Sequence, residues 1–214
     1  MKKTILLLLP VFFIALIAYG QYDPKALTIL DEMSNKFKTY SSYKASFTYT
    51  LKNSTANINE VSSGELMVRG AKYRIKLPNM EIINNGTTVW NYMKEANEVN
   101  ISTYDPADDD ISPNKIYSMY KKGYKYTYVG DKVEAGKTYQ IIELVPEDRK
   151  NKFFKVKLEI NKLDKSIKNW KLFEKNGNIY DYSIKSFTPN TINDDASFTF
   201  DKTKYPGVEI IDLR

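Results

Sequence analysis

Asp23–Leu51 reads DPKALTILDEMSNKFKTYSSYKASFTYTL, and its hydrophobic period changes once. Asp23 followed by Pro24 is a helix start, a carboxylate cap with proline at the first helical position. At about 100° per residue, Ala26, Ile29, Leu30, Met33, Phe37 and Tyr40 fall within an arc of about 100°. Leu27 lies just beyond that arc, and Lys25, Asp31, Glu32, Asn35, Lys36 and Lys38 take the rest. Residues 24–40 are therefore expected to form one amphipathic helix. From Tyr43 the period drops to two. Tyr43, Ala45, Phe47, Tyr49 and Leu51 alternate with Lys44, Ser46, Thr48 and Thr50, the pattern of a half-buried strand.

The same alternation continues. Leu66 and Val68 alternate with Glu65, Met67 and Arg69, and Tyr73, Ile75 and Leu77 with Lys72, Arg74 and Lys76. Asn84-Asn85-Gly86 between Ile82-Ile83 and Val89-Trp90 predicts a hairpin. A short strand is expected at 98–101. Asp105–Asp110 reads as an acidic loop, and Ser112-Pro113 as the cap of a second, short helix carrying Ile116, Met119 and Tyr120 and stopping at Gly123. Further strands are expected at 124–129, 138–145, 154–160, 168–173, 179–187 and 197–200. Tyr180, Tyr182 and Ile184 share a face, as do Val156, Leu158 and Ile160. No tandem repeat or linker interrupts the pattern, so one domain is expected.

About eleven strands with one polar face each suit antiparallel pairing through short turns. At about 4.8 Å per strand such a sheet is about 50 Å wide, whereas each helix covers only about 10 Å. The sheet must curl around its own apolar side, and the expected fold is mostly β with α: an incomplete antiparallel β-barrel, a half-barrel of about eleven strands, with helices as lid. Whether the interior is an apolar cavity or a filled core is left open by periodicity.

Composition narrows the chemistry. None of the 214 residues is His or Cys, which removes His-based acid–base catalysis, His- or Cys-ligated metals, thiol nucleophiles and disulfides. The Asp105–Asp110 run lacks the spacing of a calcium loop. No carboxylate pair sits in a recognisable glycosidase motif, and no Gly-rich phosphate loop is present. No cofactor is expected. The net charge of +6 falls to +4 without Lys2 and Lys3 and is spread along the chain, which reads as a solvated surface and not as a nucleic-acid stripe.

Lys2-Lys3, an apolar run from Thr4 to Ala18 and the small residues of Ala18-Tyr19-Gly20 have the form of a secretory signal peptide, residues 1–20. The run is shorter than the ~20 residues needed to span a bilayer. The mature domain is then expected to be 21–214, an exported protein.

Several segments together resemble the periplasmic lipoprotein carrier family, LolA. They are Ala26-Leu27, Leu30, Met33 and Tyr40 running into Ala45-Ser46-Phe47; Ser63-Gly64-Glu65-Leu66-Met67-Val68 with Tyr73-Arg74-Ile75; and Ile82 to Tyr92. Leu144-Val145-Pro146, Phe198-Thr199-Phe200 and Pro206-Gly207-Val208-Glu209 follow in order. The resemblance implies a half-barrel whose helices close an apolar cavity. It also implies a chaperone without catalytic residues that takes lipid-modified proteins from an inner-membrane ABC transporter to an outer-membrane acceptor, as a monomer. On that reading Leu27, Leu30, Met33 and Phe37 line the lid. Phe47, Tyr49, Leu66, Val68, Tyr73, Ile75, Trp90 and Tyr92 form the wall, and Ile116, Met119 and Tyr120 of the second helix complete the lipid-binding cavity and lid. Arg69 or Arg74 is expected to gate the lid by bonding to the first helix, although Val68-Arg69-Gly70-Ala71 lacks the proline that often follows the family's arginine. A carrier of another lipid or glycolipid, or a carbohydrate-binding module using exposed Tyr, are the alternatives.

The leader reading predicts a mature amino terminus at Gln21. Intact-mass measurement of the periplasmic protein checks it, and retention of Met1–Gly20 refutes it.

Overall fold

The computed structural model describes residues 22–106, 113 and 115–214. The expected leader, the acidic residues after Pro106 and the Ser112 cap lie outside them. Asp23 caps helix α1 (Pro24–Lys38). One carboxylate oxygen accepts from the Lys25 and Ala26 amides at 2.8 and 3.3 Å, and the other takes the Tyr128 amide at 2.9 Å. These bonds, that from Tyr128 foremost, hold its carboxyl below the ordinary range. The cap thus also fastens the helix to a distant strand. Ala26, Ile29, Leu30 and Met33 are buried, and Leu27 is 37% exposed, as its place outside the apolar arc requires.

Twelve strands form one sheet. A first meander comprises β1 (Ser42–Asn53), β2 (Ile58–Arg69), β3 (Lys72–Lys76), β4 (Met80–Asn84), β5 (Thr88–Met93) and β6 (Glu98–Thr103). A second comprises β7 (Tyr124–Glu134), β8 (Lys137–Pro146), β9 (Phe153–Asn161), β10 (Ile167–Glu174) and β11 (Ile179–Pro189). The order is β12-β6-β5-β4-β3-β2-β1-β11-β10-β9-β8-β7, so pairing of β1 with β11 joins the meanders and the sheet never closes. Among the described strands β12 (Glu209–Asp212) alone pairs in parallel, along β6. The β4–β5 hairpin forms at Asn84-Asn85-Gly86. Gly86 adopts φ +95°, and Asn85 Oδ1 accepts the Thr87 and Thr88 amides.

The eleven strands β1–β11 fall where the alternation placed them. Three details differ. The stretch expected as a second helix is a pair of 3₁₀ turns, Lys115–Tyr117 and Met119–Lys121, closed by i→i+3 bonds such as Ser118 N–H to Lys115 O at 2.9 Å. The run before Gly123 is too short to repay helix nucleation, and 3₁₀ geometry serves such short pieces. Among the described residues a single α-helix therefore stands where two were expected. Residues 197–200 form no strand. Ala196–Phe198 is a 3₁₀ turn that drives Phe198, fully buried, into the sheet as a plug. The twelfth strand, β12, is four residues long with acidic ends, which left no alternation to detect.

Register assigns each residue to a face, because paired residues share a side and neighbours alternate. The inner face, toward α1, holds two adjoining cores. One joins α1 to Ile142, Leu144, Val156, Leu158, Ile160, Ile167 and Leu172. The other gathers Tyr43, Ala45, Phe47, Leu66, Val68 and Tyr73. Gly64 lies opposite Phe47 in β1. A Cβ there meets the Phe47 ring at 2.6 Å, Leu77 at 2.8 Å and the Lys76 carbonyl at 2.9 Å. One of these contacts is backbone, so it cannot swing aside.

Gly64→Ala is accordingly expected to destabilise the fold by about 1–3 kcal/mol, the usual cost of overpacking. Urea denaturation measures it. Gly136→Ala, whose Cβ meets nothing within 4 Å and pays only for φ +73°, is the comparison.

Candidate functional site: the inner face and its uncovered aromatic wall

Helix α1 lies obliquely, from β7, where Asp23 is tied, to the start of β1, where Phe37 meets Tyr43 edge-on. Phe37 also stacks on Tyr117 of the first 3₁₀ turn. Tyr120 of the second turn donates to Asp31 at 2.6 Å, fastening that segment to the helix. Ile116 and Met119 pack against the same core. Leu30 and Met33 are thus sealed beneath the helix. Leu27 borders a groove of about 510 Å³ with Tyr22, Asp31, Tyr120, Tyr126 and Glu147.

The helix does not cover the whole inner face. Beyond it, Trp170, Tyr49, Tyr180 and Tyr182 are only half-buried. Trp170, Tyr182 and Tyr49 occupy one cross-strand row. Trp170 stacks on Tyr182 with ring centres 4.8 Å apart, and Tyr182 meets Tyr49 at 5.1 Å. Tyr49 reaches Tyr180 at 6.1 Å, and Phe47 meets Tyr182 at 6.2 Å. Burial pushes the Tyr49, Tyr180 and Tyr182 hydroxyls above their ordinary range, so these side chains stay neutral at physiological pH. The wall is aromatic, uncharged and partly open. It suits an apolar ligand with a polar end. Among the described residues no group of three or more acidic side chains could hold a metal ion. A second concavity, of about 320 Å³, lies on the polar outer face, where Lys132 pairs with Glu159 and Lys171 with Asp181.

Of the residues expected in the wall, Phe47, Tyr49, Leu66, Val68, Tyr73 and Ile75 come together on the inner face. Trp90 and Tyr92 do not join them. They pair with Ile83 and Glu81, which alternate away from Ile82 and Tyr73, and so lie on the outer face. There the segment between β11 and β12 crosses β3–β6. Phe200 and Tyr205 pack on Tyr92, and Ile83, Val99, Ile101, Phe198 and Val208 are buried.

Arg69 and Arg74 also lie on this outer face. Arg69 pairs with Asp195 at 3.1 Å, half in solvent. Arg74 is more deeply set. Its Nε donates to Glu81 at 2.7 Å, one terminal nitrogen to the Ser197 carbonyl at 3.0 Å and the other to the Tyr205 hydroxyl at 3.0 Å. Tyr205 in turn donates to Glu81. Burial alone pushes the Glu81 carboxyl up, but bonds from Arg74 and Tyr205 outweigh it and hold the group below its ordinary value. These bonds hold the C-terminal segment, and α1 lies across the opposite face. The sequence reading passed over Trp170, Tyr180 and Tyr182, although the alternation of Tyr180, Tyr182 and Ile184 already placed the last three on one face.

An unclosed sheet curved about one helix, with a neutral aromatic wall left partly uncovered, defines a binding protein of the half-barrel kind. The family model described as outer membrane lipoprotein carrier protein LolA matches residues 38–201. The chain belongs to that family, whose members are binding or carrier proteins. Its fold resembles an uncharacterized conserved protein from Thermus thermophilus, at TM-score 0.58 and 12% identity over 88% of this chain and 99% of that one. It also resembles the Mycobacterium tuberculosis lipoprotein LppX, at TM-score 0.51 and 10% identity over 80% and 98%. A provisionally assigned outer membrane lipoprotein-sorting protein domain from Vibrio parahaemolyticus gives 0.50 and 12% over 82% and 96%. No curated protein matches the chain.

Because Arg74 and Glu81 are 14% and 6% exposed, Arg74→Met strands a buried carboxylate and should cost about 3–5 kcal/mol. Arg69→Met, at an exposed pair, should cost less than about 1 kcal/mol. The Glu81 contribution is present above its unfolded pKa and is lost as pH falls through its lowered folded value. Glu81→Gln should therefore flatten the acid limb of the stability curve, which denaturation at stepped pH measures.

Proposed function

We propose that the protein is a periplasmic carrier that shields lipoprotein acyl chains on the inner face of its half-barrel. In this reading an inner-membrane ABC transporter supplies the cargo and an outer-membrane acceptor receives it. The observation that carries the proposal is the aromatic wall of Trp170, Tyr182, Tyr49 and Tyr180, half-buried beside the helix and continuous with the apolar core. Membership of the lipoprotein carrier family supports it.

The energetics call for such a surface and for little else. Each methylene costs about 0.8 kcal/mol to expose to water, so two or three acyl chains of about sixteen carbons cost tens of kcal/mol in the gross. A carrier replaces membrane with protein and needs neither nucleophile nor metal. It must also release its cargo, and a partly open wall holds chains less tightly than a sealed cavity. Neutral tyrosines line the path with hydroxyls that can donate to the ester end of a lipid, while their rings face the hydrocarbon.

A fluorescent acyl probe should bind saturably, and lipoprotein-loaded inner-membrane vesicles should release cargo into solution when the protein is added. Tyr182→Lys places a charge against Trp170 and should weaken the probe at least tenfold with the fold retained by circular dichroism. Saturable binding of polysaccharide in place of the probe, with no cargo released, overturns the carrier reading.

A further inference from the structure

The three loops at one end of the second meander carry more basic than acidic side chains among the described residues. β7 starts opposite the end of β8, and β9 starts opposite the end of β10, so residues 121–123, 147–152 and 175–178 emerge together. Backbone bonds weld them into one rim. The Glu147 amide donates to Gly123 O at 2.8 Å and the Lys175 amide to Lys152 O at 3.2 Å, and the Lys175 ammonium donates to the Arg149 carbonyl. Lys121, Lys122, Arg149, Lys150, Lys152 and Lys175 are exposed on it. Among the described residues none of the six is in an ion pair with a carboxylate. Three carboxylates stand beside them, Glu147 bonded by Tyr22, Asp148 by the Lys150 amide, and Glu174 by Asn176, Asn178 and Tyr180, so six cations outnumber the acids two to one.

An apolar element accompanies the charge. Phe153 turns inward and is buried, whereas Phe154 is 47% exposed and Val145 44%. Phe154 rests on Phe173 at 6.1 Å, and the Lys155 ammonium lies 4.6 Å over the Phe173 ring. The opposite end of the sheet is built differently. Its most exposed apolar residue, Leu163 at 92%, stands between Lys162, paired with Asp131 at 3.0 Å, and Lys165, paired with Glu32 at 2.7 Å.

We propose that the rim formed by residues 121–123, 147–155 and 175–178 docks on an anionic membrane surface, with Phe154 entering the interface among the lysines. Charge complementarity selects the occupant. Six exposed cations against three carboxylates leave the rim net positive and matched to anionic headgroups, and an exposed aromatic amid lysines is the composition that settles at the acyl–headgroup boundary. Lysine stems lie along apolar surface while their ammonium groups stay in water. Tyr180, in the strand that follows this rim, belongs to the uncovered wall, so docking here brings the wall toward the bilayer. The proposal stands without the acyl-carrier reading, because it is tested with no cargo present.

The absence of cysteine allows a site-specific test. In the full chain, Phe154→Cys and Leu163→Cys each receive an environment-sensitive dye, and vesicles of phosphatidylglycerol or of phosphatidylcholine are added. The dye at 154 should shift to the blue with phosphatidylglycerol vesicles alone, and that at 163 should not. Lys150→Glu with Lys152→Glu should weaken the response about tenfold or more, and added salt should weaken it too. Equal shifts at both positions, or a shift with phosphatidylcholine that ignores salt, refute the proposal. So does a shift at 154 caused by polyglutamate but not by vesicles, which instead makes the rim a docking site for an acidic protein. An unchanged acyl-probe affinity in the double charge variant separates failure of docking from failure of cargo binding.

Discussion

One helix packs on a sheet too wide for it, and the rest of the molecule follows from that mismatch. Ala26, Ile29, Leu30 and Met33 present a single stripe, and it covers the strands from β8 to β10. The inner face continues past it through β11 and β1, where Trp170, Tyr182, Tyr49 and Tyr180 are left half in solvent. A second α-helix would have sealed that gap. The chain instead spends residues 115–121 on two 3₁₀ turns that brace α1 through Phe37, Tyr117 and the Tyr120–Asp31 bond. The uncovered surface is tolerable because it is mostly tyrosine, whose rings pack on one another.

The two faces of the sheet divide the labour by charge. The inner face is mostly apolar and aromatic, with the Glu174 carboxylate accepting from Tyr180 at its edge. The outer face of the second meander is solvated and salt-bridged, and that of the first meander is covered by the C-terminal segment. Arg74 holds that cover by three donors in one plane, to Glu81, Ser197 and Tyr205, a geometry for which lysine has no equivalent. The helix and its opposing cover thus grip the sheet from two sides without closing it.

Period-two alternation made β1, β2, β3, β9 and β11 legible, and the turn signal Asn84-Asn85-Gly86 placed β4 and β5. The change from a helical period to alternation near Tyr43 likewise placed α1 before β1. Residues that obey another logic were not legible. Phe198 reads as part of a strand, but it is a plug held by a turn, and its burial comes from strands far away in sequence. Trp90 and Tyr92 look like inner wall because they are large and aromatic. Alternation within β5 places them on the outer face, and that face is apolar only because the chain returns to cover it. The arginines misled for a similar reason. The resemblance implied a gate onto the first helix, whereas the partners of Arg74 come from the far end of the chain, which sequence spacing cannot reveal. Tyr180 and Tyr182 were visible as a pair, but their half-exposure depends on where α1 stops.

The seam between β1 and β11 bears on how such a chain acquires its structure. Tyr49 finds Tyr182 across more than a hundred residues, and Arg74 finds Tyr205 at a similar remove. Until those partners exist, the first meander has neither its seam nor the cover for Ile83, Val99 and Ile101. Its apolar surface is then bare on both sides, and loop closure over such separations is slow. The first meander therefore gains its seam and its cover only when the C-terminal part of the chain has been made, so the contacts that complete the sheet come last in chain order.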